Sequence, residues 1–134
     1  MGVVEDVAAR LRTQIPSRTV YEYAVPSGGT LPAAYLIVRS SVSREEAERM
    51  CDTVNRVDWA IRVLSVARNS DAHVAARTAS AGATFARAAL RDWHPPTGQW
   101  KLRFNVGADE PYPDDSTPET TYVVGLQYGL RATP

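Results

Sequence analysis

Five carboxylates crowd into eleven residues near the end of the chain: Asp109, Glu110, Asp114, Asp115 and Glu119, interleaved with Pro111, Pro113 and Pro118. Oxygen ligands at this density are what a divalent cation takes. Two adjacent acids, Asp114 and Asp115, could also shift one another's proton affinity for acid–base work. The spacing argues against both. It lacks the Asp-x-Asp-x-Asp-Gly run of a calcium loop, and the prolines stiffen the segment against wrapping an ion. Two readings remain from the residues alone. One is a stiff arm whose acids bond to arginines of a partner; the other is a solvated connection that keeps a hairpin edge from aggregating.

Little else in the sequence offers chemistry. There is no G-x-S-x-G elbow, no G-x-x-x-x-G-K phosphate loop, no H-E-x-x-H and no C-x-x-C. His73 falls in the first turn of a helical pattern, where an exposed histidine needs no catalytic account, and His94 at its end, where the helix C-terminus stabilises a cationic imidazole without catalysis. Cys51 is the single cysteine, so it forms no internal disulfide and no multi-cysteine zinc site, as suits a reducing compartment. No catalytic, cofactor-binding or metal-ligating residue is therefore expected, and no cofactor is implied.

The charge balance narrows the partners. Lys and Arg total 15 against 15 Asp and Glu, and Lys101 is the only lysine. A neutral chain lacks the broad positive field of a dedicated nucleic-acid binder, whereas arginine's planar fork suits carboxylates at protein interfaces. No apolar run reaches the roughly 20 residues of a membrane span. The first twelve residues carry early acids and no secretory core, so the expected place is the cytosol or an assembly built there.

These residues need elements to position them. VVEDVAARLRTQ (3–14) places Val3 or Val4, Val7, Ala8 and Leu11 at helical spacing, with Glu5 and Asp6 in the first turn and Pro16 as the stop. RTVYEYAV (18–25) alternates as a strand, PSGGTLP reads as a loop, and AAYLIVRS (33–40) as a strand covered on both faces. In residues 41–56, Ser43 followed by Glu46 resembles a capping box and predicts a short helical turn over Arg44–Met50. VDWAIRVLSVAR (57–68) predicts a long central strand, with Trp59, Ile61, Val63 and Ser65 on one face and Ala60, Leu64 and Val66 on the other.

A helix follows from Ala72 to about Trp93, capped by Asn69 or Ser70. One of its stripes is Val74, Thr78, Ala81, Phe85 and Ala88/Ala89; the neighbouring one is Ala79, Gly82, Ala86, Leu90 and Trp93. Such small side chains let a helix lie close on a sheet. QWKLRFNVG and TTYVVGLQYGLR then alternate strictly and predict an antiparallel pair around the acidic segment. The order implies one α+β domain over 1–134: a twisted, mainly antiparallel sheet of four to five strands, with the long helix and the short N-terminal helix packed on it.

In the order of these landmarks the chain resembles the tail terminator, or minor tail, proteins of long-tailed bacteriophages, particularly those of actinobacteria. The residues that carry the likeness are VYEYAVPSGGTLPAAYLIV, then RVLSVARNS running directly into DAHVAARTASAGATFARAAL, then WHPPTGQWKLRFNVGADEPYPDDSTPETTYVVGLQYGL. The resemblance implies a structural role without catalysis: a ring, usually of six subunits, at the head-proximal end of the virion's tail tube. The ring stops tube polymerisation and joins the neck of the head.

The partners implied are other copies of the chain, the tail-tube protein and a neck or head-completion protein, with DNA only passing through the lumen and no membrane. Asp109, Glu110, Asp114, Asp115, Arg62 and Arg103 are the candidate interface residues, the acids meeting arginines of a neighbouring subunit or of the tube. Arg39, Arg62, Lys101 and Arg103 are candidates for a lumen lining or a plain interface. A head–tail connector subunit, a small metal-binding protein or enzyme, and a monomeric adaptor domain are the competing classes.

Overall fold

A computed structural model of the chain describes residues 2–26, 28, 30–47, 55–93, 101–104, 112–114 and 120–132. The elements are helix α1 (Val3–Gln14), strands β1 (Thr19–Glu22), β2 (Ala34–Ala47) and β3 (Asn55–Arg68), helix α2 (Ala72–Leu90), and strands β4 (Lys101–Phe104), β5 (Tyr112–Asp114) and β6 (Thr121–Ala132). The sheet runs β1-β2-β3-β6-β4, with β5 also on β6. All pairs are antiparallel except β1–β2. This is the expected α+β architecture, with β3 central.

The period-two pattern sorts the strand residues onto two faces. Val20, Leu36, Val38, Ile61, Val63, Ala67, Val124, Leu126 and Tyr128 face the helices and join Val4, Val7, Ala8 and Leu11 of α1 in the main core. Ile37, Leu64, Val66 and Val123 form a smaller cluster on the opposite face, with Val25 and Tyr35 packed against it. Val25 belongs to the connection between β1 and β2. Parallel neighbours require a crossover, and this one passes over the helix-free face. It is anchored where the Arg68 side chain donates to the Leu31 carbonyl and the Arg68 N–H to the Ala33 carbonyl at 2.8 Å.

β1 is shorter than its alternating sequence because Tyr23 takes a positive φ of 68°, which turns the chain out of the strand. Its hydroxyl donates to Glu5 Oε1 at 3.0 Å. Gly2 gives α1 no side-chain cap, and Glu5 stands in the first turn. The Glu5 carboxyl is held below the usual carboxylate range by its own backbone N–H first and by Tyr23 next.

Two local expectations are corrected. The predicted helical turn from Arg44 gives way to β2, which continues to Ala47 opposite Asn55 of β3. A capping box stabilises a helix only when an apolar stripe follows it, and here none does; pairing with β3 wins, with a bulge between Val42 and Arg44 absorbing the irregularity. The cap of α2 is Asp71, whose side chain accepts from His73 N. Asn69 acts one step earlier: its Oδ1 accepts the Asp71 N–H at 2.9 Å, an Asx turn that leads the chain into the helix.

Of the two stripes on α2, the small one is buried: Ala75, Ala79, Gly82, Ala83, Ala86, Ala89 and Leu90. Val74 and Phe85 of the other are exposed, Phe85 by 51%. The rotation follows from one contact. Ser65 Oγ, buried on β3, donates 2.7 Å to the Ala79 carbonyl. A Cβ on Gly82 would stand 2.6 Å from Arg18 Nη1 and closer still to Ser65 Oγ. Arg18 Nη2 in turn donates to the Thr78 carbonyl at 3.0 Å. Helix and strand therefore touch backbone to side chain with no room for a methyl group.

Gly82→Ala should destabilise the protein by about 1–3 kcal/mol through overpacking, outweighing the gain of roughly 0.5–1 kcal/mol that alanine brings to a helix. Chemical denaturation measures the change. In a Ser65→Ala background the cost should shrink, because the closest clashing atom is gone.

Candidate assembly interface

The structure places some of the sequence-predicted interface residues and separates others. Arg62 lies on β3 directly opposite Arg39 of β2 and opposite Gln127 of β6. All three are exposed. They alternate in step with Leu64, Ile37 and Val123, so the row Arg39–Arg62–Gln127 lies on the helix-free face, bordering the smaller apolar cluster. Arg39 Nε donates to the Tyr23 carbonyl at 3.0 Å, which ties the row to the start of the crossover.

Arg103 sits on β4 opposite Gly129, and Lys101 opposite Arg131, further along the same end of β6. The ladder thus sets Arg39 and Arg62 side by side at mid-sheet, with the partners of Arg103 and Lys101 two and four residues beyond Gln127 on β6. The pairing of Arg39 with Arg62 was not legible from sequence, because it depends on the β2–β3 register.

Asp114 goes elsewhere. It ends β5 and pairs with Thr121, the first residue of β6. Six residues of β6 separate that position from Gln127, roughly 20 Å at the rise of an antiparallel strand. Asp109, Glu110 and Asp115 lie outside the described residues, as do Glu119, Cys51 and His94.

The acidic segment is nevertheless more than one long hairpin connection. β4 and β5 run in the same direction along the same side of β6. Between Phe104 and Tyr112 the edge carries seven residues, where β6 has four between their partners Tyr128 and Val123. β4 and β5 are thus two segments on one edge of the sheet, both paired with β6. Pro113 within β5 is the signal for an edge, since proline brings no N–H to a ladder.

The opposite edge is bracketed by α1. Arg12 donates from Nη2 to the Val20 carbonyl at 2.8 Å and from Nη1 to Glu22 Oε1 at 3.0 Å. An exposed ion pair of this kind contributes at most about 1 kcal/mol; its effect is to occupy acceptors on an edge strand.

No catalytic constellation emerges among the described residues. Among these described residues no group of three or more His, Cys, Asp or Glu is placed to hold a metal ion, and no helix is long and apolar enough to cross a membrane. His73 is exposed, with its backbone N–H on Asp71. A cleft of about 410 Å³ lies at the end of α2 between Thr84, Arg87, Arg91, Asp92 and Tyr128. A second, of about 340 Å³, lies between Ile15, Pro16, Phe85 and Ala88.

No protein-family model matches the chain, and no curated protein sequence matches it. Solved structures do share its fold. A chain in the virion of a native gene transfer agent particle superposes with a TM-score of 0.67 at 20% identity, covering 98% of this chain and 95% of that one. A second solved structure matches with a TM-score of 0.59 at 14% identity, covering 99% of each chain. At these identities the likeness establishes a common fold over the whole length.

The cleft beside α2 contains one group with a measurable signature. Burial pushes the Tyr128 hydroxyl up to about 12 from an ordinary 10.0, with the charge of Arg87 opposing the shift. Because the folded-state value is raised, the associated stability is fully present below pH 10 and is lost as pH climbs toward 12. Denaturant midpoints at pH 9 and pH 11.5 should therefore fall further in the wild type than in Tyr128→Phe, by on the order of 2 kcal/mol.

Proposed function

We propose that this protein is a non-enzymatic virion structural component, a tail terminator that forms a ring on the end of a phage-type tail tube. The ring stops tube polymerisation and provides the joint to the neck of the head. The observation that carries the reading is the full-length fold likeness to a chain of a gene transfer agent virion, a TM-score of 0.67 over 98% of the residues. The sequence adds its own support: the helix–strand–strand landmarks and the Ala-rich helix resemble tail terminators over nearly the whole chain, residues 41–56 being the least familiar part. The exposed row of Arg39, Arg62 and Gln127 on the helix-free face offers arginine forks of the kind that meet carboxylates at protein interfaces.

The physics of the role is modest. A ring subunit needs two different patches that fit one another, so that a rotation closes the assembly. It also needs sheet edges that do not recruit strands indiscriminately, which the Arg12 bracket on β1 and Pro113 in β5 provide.

Mixing the purified protein with polymerising tail-tube subunits and imaging the products by electron microscopy tests the proposal. Tubes should stop lengthening and carry extra density at one end. Tubes that grow unchecked in its presence would overturn the reading, and binding only to neck components would favour a connector subunit instead.

A further inference from the structure

The meeting of Gly82 with Ser65 turns α2 so that an apolar stripe faces outward. Val74 is 38% exposed and Phe85 51%. Val74, Ala81 and Ala88 recur every seven residues, with Phe85 four beyond Ala81, a spacing at which one helix packs on another. From Val74 to Ala88 the stripe runs fourteen residues, about 21 Å. At its far end Phe85 and Ala88 share the cleft of about 340 Å³ with Ile15 and Pro16, so one border of the stripe has depth.

The other border is cationic. Arg77 and Arg91, also fourteen residues apart, are exposed along it. Among the described residues neither guanidinium takes part in a hydrogen bond or ion pair. No acid lies between Asp71 and Asp92 to neutralise them. An exposed phenylalanine, alanines small enough to admit a neighbouring backbone and a row of arginines complement a helix that carries apolar residues on one side and carboxylates beside them.

The described helices of this chain do not supply that complement. Asp6 of α1 is buried, Glu5 holds the Tyr23 hydroxyl, and α2 has no acid between its ends. We infer that the outer face of α2 docks an amphipathic helix of a different protein. The apolar side of that helix lies along Val74, Ala81 and Phe85, with one side chain in the cleft beside Ile15, and its acids meet Arg77 and Arg91. Nucleic acid is a poorer fit, because Phe85 and the cleft call for an apolar occupant. The inference goes beyond the ring reading and does not depend on it.

The test is fluorescence anisotropy of the full chain at low salt with designed helical peptides of about 18 residues, long enough to span the stripe. One carries leucines at three- and four-residue spacing with glutamates along one flank. A second has lysines in place of the glutamates, and a third has serines in place of the leucines. The glutamate peptide should bind at least tenfold more tightly than the lysine peptide, and the serine peptide should not bind. F85E and V74E should each weaken the glutamate peptide at least tenfold, and R77E/R91E should reverse the preference between the two charged peptides. All four side chains are exposed, so thermal unfolding should stay near that of the wild type. R77Q/R91Q, which removes the discrimination without reversing it, serves if a reversal does not fold.

Equal binding of the glutamate and lysine peptides, undiminished binding by F85E, or no saturation by about 1 mM overturns the inference. Self-association of the wild type that F85E abolishes gives the face to a second copy and overturns it as well. So does a DNA duplex that displaces the glutamate peptide and binds F85E as it binds the wild type, but not R77E/R91E.

Discussion

The fold is organised by how near α2 can come to β3. Gly82 and Ala79 bring the helix backbone within reach of Ser65, and the Ser65 hydroxyl spends its hydrogen bond on a carbonyl in the middle of the helix. That contact sets the rotation of α2, buries its alanine stripe and leaves Phe85 outside. It also determines what fits around it. Arg18 is threaded between helix and sheet, with Nη2 on Thr78 and its guanidinium pulled below its ordinary proton affinity by desolvation. Arg10 closes the far end, donating to the Ala89 carbonyl at 3.0 Å and lying 6.0 Å from the centroid of the Trp93 ring. The two helices are thus joined to the sheet and to one another largely by polar side chains reaching backbone carbonyls across small residues. Large apolar side chains contribute mainly from the sheet and from α1.

Much of this was legible in the sequence, and the reason is periodicity. The 3.6-residue stripe of VVEDVAARLRTQ and the strict alternation of TTYVVGLQYGL each name a face for the main core, and RVLSVAR, apolar on both faces, names a central strand; the structure buries Val7 and Leu11, Val124 and Leu126, and both faces of β3 accordingly. Where two patterns competed, local reading failed. Residues 43–46 contain a good helix-start motif, yet a fourteen-residue partner strand lies alongside and pairs with β2 through Ala47. On α2, both stripes were small or apolar enough to be buried, and only the meeting of Gly82 with Ser65 selects between them.

The candidate interface divides along similar lines. Residue types announced the arginines and the acids, because charge is written in the sequence. Their relation is a property of register. Nothing within VRSS or AIRV says that Arg39 and Arg62 stand opposite one another, or that Asp114 begins the far end of β6 while Gln127 lies six residues along it. β5 was hidden for a different reason: three residues centred on a proline form too short a run to show an alternation, and only β6 beside them makes a strand of them.

The two segments on the β6 edge bear on how the chain tolerates changes in length. β4 is held by its own ladder to residues 128–131 and β5 by a separate one to residues 121–123. A change in chain length between Phe104 and Tyr112 therefore leaves either ladder in register, in contrast to the interior of β3, where one inserted residue would turn every later side chain to the wrong face.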